Sequence, residues 1–240
     1  MTPAELSHRG RQAARILGRL LGDGPMPLGL AWTAIRTHGA LQRTWELQCL
    51  IGDVVKLRPS IVVEIGTHRG GTLACWAIVS APGAHLVSID LPAPAEGMGT
   101  TDRDLTHVRS MLRDNRQLTA IRADSHLPST LARLQQILAG RAIDFLWIDA
   151  DHSDAGVRQD FAMYSPHVRP GGLIAFHDIN ESSYVTGNQV HRFWRELKAS
   201  HETREYIDQN WPGGGMGIGV VQWFGKEQIP IVSARSLGAR

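Results

Sequence analysis

Residues 60–81 read SIVVEIGTHRGGTLACWAIVSA, and this stretch decides the fold. It joins a run of β-branched residues, interrupted only by Glu64, to a glycine-rich turn and then to a second apolar segment. A run without polar alternation predicts a strand that is buried on both faces, as in parallel sheets covered by helices. The stretch therefore predicts one strand–turn–helix unit of an α/β domain.

The same unit recurs along the chain. Apolar runs predict strands at HLVSID (85–90), LTAIRAD (118–124), IDFLWID (143–149) and GGLIAFHD (171–178). Helical patterns separate or follow them at 71–81, 104–115, 127–140, 155–168 and 190–200. This order predicts a Rossmann-like, doubly wound, mostly parallel sheet, and GIGVVQWF (217–224) is able to add an edge strand.

The region before this alternation has a different pattern. Leu6, Ile16 and Leu20 belong to an apolar series that predicts a helix over residues 4–22, followed by a Gly/Pro-rich loop, and a second helix is predicted over 41–56. We therefore expect a helical extension, residues 1–45, which covers the substrate or builds an oligomer. Residues 46–240 are expected to form one Rossmann-like domain.

Composition excludes several classes of protein. The formal net charge is +2 and the basic residues are scattered, so a nucleic-acid-binding surface is not expected. The two cysteines lie in apolar helical patterns, which favours a reduced intracellular protein. The sequence contains no apolar run long enough for a membrane span and no signal-peptide pattern, so we expect a cytoplasmic protein that binds a small molecule.

Ligand-type residues follow three of the predicted strands. Gly66, Gly70 and Gly71 lie in the first strand-to-helix turn, Asp90 ends the second strand and Asp124 ends the third. Open α/β sheets bind ligands at the carboxyl ends of their strands. A carboxylate at Asp90 suits two ribose hydroxyls, and one at Asp124 suits an adenine amino group, so a nucleoside-containing cofactor is predicted.

A second group of polar residues follows the fourth and fifth strands. Asp149 ends one strand and His177 with Asp178 ends the next, so adjacent strands would bring them together. Carboxylate and imidazole ligands of this kind predict a site for a divalent cation. Asp151, Ser153 or Asp154 is expected to cap the helix that begins near Ala155.

The motifs EIGTHRGG, SID, RADS, WIDADH and RPGGLIAFHD, over about residues 46–223, resemble those of class I S-adenosylmethionine (SAM)-dependent methyltransferases. Within that superfamily the chain resembles metal-dependent small-molecule O-methyltransferases, including macrolide-sugar enzymes and relatives labelled cephalosporin-hydroxylase-like. The resemblance implies SAM as cofactor. The cofactor-binding residues that it implies are Glu64, Gly66, Thr67, Gly70, Gly71, Asp90, Asp124, Ser125 and Asp149.

The resemblance also implies a chemistry for the second group. The cation, magnesium or manganese, would be held by Asp149, His177 and Asp178. The resembling enzymes have a pair of acids, or an acid and an amide, where this chain has His177 and Asp178, and an imidazole suits manganese better. His152 matches the position of a base that removes the proton of a substrate hydroxyl. The implied partners are a hydroxyl-bearing small molecule and further copies of this chain.

Three alternatives remain open at this stage. Asp149 and Asp151 also fit the metal-binding pair of a nucleotide-sugar glycosyltransferase, although that interpretation leaves the glycine turn unexplained. A dehydrogenase is disfavoured, because the G-x-G-x-x-G pattern is missing. A non-catalytic SAM-binding module has the same fold and is distinguished only by turnover.

Overall fold

The structure is a computed structural model that describes residues 27–92, 99–181, 187–210 and 216–225. The helices are α1 (Pro27–His38), α2 (Thr44–Leu57), α3 (Gly71–Val79), α4 (Asp102–Met111), α5 (Pro128–Leu138), α6 (Asp154–Tyr164) and α7 (Val190–Leu197). The strands are β1 (Ile61–Ile65), β2 (His85–Asp90), β3 (Gln117–Arg122), β4 (Ile143–Ile148), β5 (Val168–His177), β6 (Thr203–Tyr206) and β7 (Ile218–Trp223).

The strands form one sheet in the order β3-β2-β1-β4-β5-β7-β6. The first five strands of this order pair in parallel, whereas β7 runs antiparallel to both β5 and β6. The strand order reverses between β1 and β4, which is where doubly wound sheets bind their ligands. The expected α/β fold with a mostly parallel sheet is confirmed.

Alternate residues of the central strands enter two separate cores. Val62 of β1 and Trp147 of β4 contact the core that includes Trp76 of α3, while Val63 and Leu146 face the core beneath α5, α6 and α7. All five residues of β1 are buried. Burial on both faces explains why this strand reads as an apolar run interrupted only by Glu64.

The helical extension reaches further into the domain than its sequence indicated. Helix α1 begins at Pro27, inside the Gly/Pro-rich stretch that was wrongly expected to be a loop, and continues through residues that the sequence left unassigned. Its buried Leu30, Ala31 and Ala34 join the core around Trp76. Helix α2 crosses the expected domain boundary at residue 45. The helix expected over residues 4–22 lies outside the described residues. Among those that are described, no helix has the length and apolar character needed to cross a membrane.

Candidate active site

A cavity of about 800 Å³ opens at the carboxyl ends of β1, β2, β4 and β5. It is lined by both groups of residues that the sequence singled out and by a segment of the extension. The lining includes Gly39, Ala40, Leu41, Gln42, Gly66, Thr67, His68, Gly71, Asp90, Asp124, Ser125, His126, Asp149, His152, His177 and Asp178. The two predicted sites therefore belong to one cavity.

The glycines of the β1–α3 turn are required by neighbouring backbone. Gly66 has a φ of +85°, and a Cβ atom there would lie 2.0 Å from the carbonyl oxygen of Asp149. At Gly71 a Cβ atom would lie 2.4 Å from the backbone nitrogen of Ala40. Gly70 has a φ of +79° and caps α3. These close approaches bring Asp149 and the extension against the turn, so both border the same cavity.

Asp90 holds the glycine turn in place. Its Oδ2 accepts hydrogen bonds from the backbone nitrogens of Thr67 (3.0 Å) and His68 (2.7 Å) and from Oγ1 of Thr100 (2.5 Å). Its Oδ1 accepts one from the backbone nitrogen of Leu91 at 2.8 Å. Each carboxylate oxygen carries two lone-pair sites, so Oδ1 retains an acceptor position toward the cavity.

At the predicted adenine end of the cavity, Asp124 and Ser125 lie in front of the buried Asp160. Oδ1 of Asp124 accepts the backbone N–H of His126 at 2.8 Å, and Tyr164 donates its hydroxyl hydrogen bond to the carbonyl oxygen of Ser125 at 2.6 Å. Behind them Asp160 is fully buried, with Nε2 of His126 3.3 Å from its Oδ1. Burial raises the pKa of Asp160 to about 6.

Glu64 does not line the cavity. Its side chain is fully buried and accepts a hydrogen bond from Nε1 of Trp76 at 2.7 Å. Burial raises the pKa of Glu64 well above its usual value. Its contacts are therefore those of a residue that supports the turn from behind.

The second group forms a compact cluster of two carboxylates and two imidazoles. Nε2 of His152 lies 2.9 Å from Oδ2 of Asp178 and 3.6 Å from Oδ1 of Asp149. Nδ1 of His177 lies 3.2 Å from the same Asp149 oxygen and 3.4 Å from the same Asp178 oxygen. Both imidazoles therefore face one pair of carboxylate oxygens. Asp149, His152 and Asp178 each offer a ligand atom within 4.8 Å of the others.

The histidines and aspartates of this cluster shift one another's pKa values. Hydrogen bonds to Asp149 and Asp178 raise the pKa of His152 to about 10. Burial lowers the pKa of His177, but the same two carboxylates outweigh that effect and keep it well above its usual value. Burial alone would raise the pKa of Asp178, yet the imidazoles hold it below its usual range. Two protonated imidazoles thus neutralise two carboxylates.

Exposure distinguishes the two histidines. The side chain of His152 is 36% exposed, whereas that of His177 is 3% exposed. His177 also has a buried Nε2 without a hydrogen-bond partner among the described residues, as has Oδ1 of Asp178. His152 is therefore the more accessible of the two histidines to a bound substrate, while His177 lies deeper in the cluster.

The residues around the cluster have structural roles. Oδ1 of Asp151 accepts the backbone N–H of Ser153, and Oγ of Ser153 caps α6 through the N–H of Gly156. Of the three expected capping candidates, Ser153 is therefore the cap of α6, and Asp151 supports it by accepting its backbone N–H. Asn188 ties its own loop together by donating to the carbonyl oxygen of Asp178. Trp194 is buried against Gly219, so it packs in the core instead of lining the cavity.

Two residues at the junction of the extension and the domain were not predicted from the sequence. Nε2 of Gln42 donates a hydrogen bond to Oδ2 of Asp149 at 2.7 Å. Glu46, which is fully buried, accepts the backbone N–H groups of Asp208 (2.9 Å) and Gly217 (3.1 Å). Both contacts join residues more than 100 positions apart, so no local pattern announces them. A buried glutamate at an apolar position of α2 was the one available signal.

Comparison with known proteins agrees with this fold and cavity. A sequence model described as a methyltransferase domain matches residues 63–179. The uncharacterized protein y4gI of Sinorhizobium fredii (strain NBRC 101917 / NGR234) is 26% identical over 174 residues, covering 71% of this chain and 18% of that protein. This chain thus spans less than a fifth of the length of that relative.

Solved methyltransferases share the architecture. The MycE methyltransferase from the mycinamycin biosynthetic pathway, in complex with Mg and S-adenosylhomocysteine (SAH), matches with a TM-score of 0.55 and 16% identity, over 90% of this chain and 59% of that one. The O-methyltransferase TomG from Streptomyces achromogenes, in complex with SAM, matches with a TM-score of 0.54 and 19% identity, over 94% and 100%. Residues 63–179 therefore match a methyltransferase-domain model, and the chain shares the fold of these solved methyltransferases.

Proposed function

We propose that this chain is a SAM-dependent O-methyltransferase that acts on a hydroxyl group of a small natural product, assisted by a divalent cation and by His152 as general base. The observation that carries the proposal is the placement of His152. Its exposed imidazole lies beside Asp149 and Asp178, in the same cavity as Asp90 and the glycine turn.

The residues present fit the cofactor. Asp90 retains an acceptor position that suits the ribose hydroxyls, and Asp124 with Ser125 lines the cavity where the adenine would lie. The Gly66–Gly71 turn borders the same cavity and precedes the N-terminus of α3, whose backbone N–H groups favour a carboxylate such as that of the methionine end. When bound, SAM supplies an electrophilic sulfonium methyl group.

The residues also fit a divalent cation. Two carboxylates with imidazole neighbours form a donor set for magnesium or manganese, and the buried Oδ1 of Asp178 lacks a partner among the described residues. Asp149 and Asp178 would hold the ion, and the buried His177 would add an imidazole donor. The ion would orient a substrate hydroxyl and lower its pKa. The solved relative MycE contains Mg.

His152 would then accept the hydroxyl proton while the oxygen attacks the methyl group. The bond between oxygen and carbon forms as the bond between carbon and sulfur breaks, and SAH leaves. Hydrogen bonds to Asp149 and Asp178 raise the pKa of His152 to about 10. A divalent cation held by the same carboxylates would lower that pKa, because like charges repel, and would favour the neutral imidazole that a base must be.

The acceptor class is inferred from the fold relatives and the cavity. MycE is from the mycinamycin biosynthetic pathway, and TomG is involved in tomaymycin synthesis. The exposed side chains of Leu41 and Leu91 border the cavity and suit an acceptor with an apolar body. We therefore propose a hydroxylated natural product, such as a glycosylated one.

Transfer of a tritiated methyl group from SAM to a panel of sugars, catechols and macrolide glycosides tests the proposal. We expect His152→Ala to reduce turnover by about 10²–10⁴-fold, as for the loss of a positioned base. SAH affinity in calorimetry should stay unchanged. His167→Ala is the matched control, because His167 lies outside the cavity lining. Full turnover by His152→Ala, or full activity in excess chelator, would contradict the mechanism.

A further inference from the structure

We propose that Gln42 is a positioning residue for Asp149 and thereby sets the affinity of the cluster for a divalent cation. This inference rests on the proposed function, since it assigns a supporting role in the same site. It also gives the helical extension a specific task in the active site.

The contact itself is strong and has only one orientation. Nε2 of Gln42 lies 2.7 Å from Oδ2 of Asp149, and Gln42 is buried, with 5% of its surface exposed. Only the amide N–H group can face a carboxylate oxygen, so the position of Nε2 is determined by chemistry. Hydrogen bonds to a charged acceptor are about twice as strong as those between neutral groups.

The bond selects which carboxylate oxygen faces the cluster. Gln42 occupies Oδ2, so Oδ1 is the oxygen that lies 3.2 Å from His177 and 3.6 Å from His152. A carboxylate can rotate about its bond to Cβ, and intermediate rotations leave neither of its equivalent oxygens facing the cluster. Holding Oδ2 therefore reduces the entropy that the ligand loses when a cation binds.

Gln42 is itself fixed by the segment that carries it. Ala40 lies so close to Gly71 that a Cβ atom on that glycine would overlap its backbone nitrogen. The N–H of Ala40 bonds to the carbonyl oxygen of Ala34 at 3.0 Å, which fixes the segment to α1. One turn beyond Gln42, Glu46 anchors α2 to Asp208 and Gly217. The amide of Gln42 therefore meets Asp149 from a rigid support.

The test compares two methionine substitutions at the start of the same helical region. Gln42→Met keeps the length of the side chain but removes the donor, and Gln48→Met makes the same change in α2 outside the cavity lining. Binding of Mn²⁺ to the full chain is measured by electron paramagnetic resonance of the free ion, and SAH binding by calorimetry. We expect Gln42→Met to weaken Mn²⁺ binding by about 10–100-fold. SAH affinity should change by less than about threefold, because Gln42 is proposed to act on the cation ligand and not on the cofactor.

Gln42→Asn is the second variant in case methionine disturbs folding. It keeps the amide, but one methylene fewer leaves it short of Asp149, so we expect a loss of Mn²⁺ affinity like that of Gln42→Met. Circular dichroism verifies that each variant is folded. A merely structural role would lower the melting temperature and leave the Mn²⁺ affinity of the folded protein unchanged.

The outcomes separate this inference from the proposed function. If the parent binds both ligands and Gln42→Met binds Mn²⁺ as tightly as the parent, the positioning role is wrong and the proposed function stands. Equal losses of Mn²⁺ and SAH affinity would also overturn it, because the effect would not be specific to the cation. A parent that binds SAH but no Mn²⁺ overturns both the cation assignment and this inference. A parent that binds neither overturns the proposed function itself.

Discussion

Replacement of Asp90 should weaken both cofactor binding and the fold. The carboxylate accepts four hydrogen bonds, three of them at Oδ2 from Thr67, His68 and Thr100. A net value of about 0.5–1.5 kcal/mol per bond gives roughly 2–6 kcal/mol, and the lower half applies because the cavity admits water to the released donors. We therefore expect Asp90→Ala to lower the free energy of unfolding by about 2–4 kcal/mol.

Two further variants resolve this effect into its parts. Thr100→Val removes one of the four bonds without removing the carboxylate, so it should cost about 1 kcal/mol of stability and leave SAH affinity nearly unchanged. Asp90→Asn can place its carbonyl oxygen at the Oδ2 position, but its amide group then faces the backbone N–H of Leu91. Its stability should fall between those of the parent and Asp90→Ala.

Urea denaturation measures the free energy of unfolding, and calorimetry with SAH measures the cofactor affinity. For Asp90→Ala the affinity should fall by about 10–100-fold, since charge-assisted bonds to the ribose are lost. The reasoning is refuted if Asp90→Ala unfolds within about 0.5 kcal/mol of the parent, the usual range for neutral surface substitutions. Unchanged SAH affinity would remove Asp90 from the cofactor site.

Three further changes have defined outcomes. Burial raises the pKa of Asp160 from 3.8 to about 6, so ionisation of Asp160 destabilises the fold as pH rises through this range. In urea denaturation, Asp160→Asn should therefore increase the free energy of unfolding by about 1–3 kcal/mol at pH 8 and leave it unchanged at pH 4. Gly66→Ala places a methyl group against the carbonyl oxygen of Asp149, and we expect a loss of about 2–5 kcal/mol together with loss of SAH binding; a loss below 1 kcal/mol would contradict the close approach. Trp32 on α1 is 54% exposed. If the extension joins subunits through this face, Trp32→Glu should reduce the mass of the assembly measured by light scattering. An unchanged mass would show that Trp32 does not belong to a subunit interface.

The sheet could be predicted from the sequence because burial on both faces leaves a local record. Each central strand is an apolar run, and HLVSID matches β2 residue for residue. Helix α1 was not predicted, since only part of its surface is buried and Pro27 and Gly29 suggested a loop. Strand β6, with the sequence TREY, pairs at the sheet edge and has no buried residue to reveal it.

The candidate site was predictable to the same extent. Asp90, Asp149 and Asp178 follow strands, and parallel topology brings strand ends together whatever lies between them. Glu64 belongs to the same turn but points into the core, because residues alternate along a strand and its neighbours Val63 and Ile65 face the other core. Gln42 contacts Asp149 only through the tertiary packing of the extension, which no spacing in the sequence encodes.

The contacts of Glu46 indicate which segment of the chain can vary in length and sequence. A single carboxylate holds the backbone at Asp208 and at Gly217, the two ends of the connection between β6 and β7. With its ends fastened to α2, this connection can gain, lose or exchange residues while the sheet beneath it keeps its register. Because Met216 at its end borders the cavity, variation there changes what the cavity admits. The connection is thus the natural place to exchange segments when a change in what the cavity binds is sought by recombination.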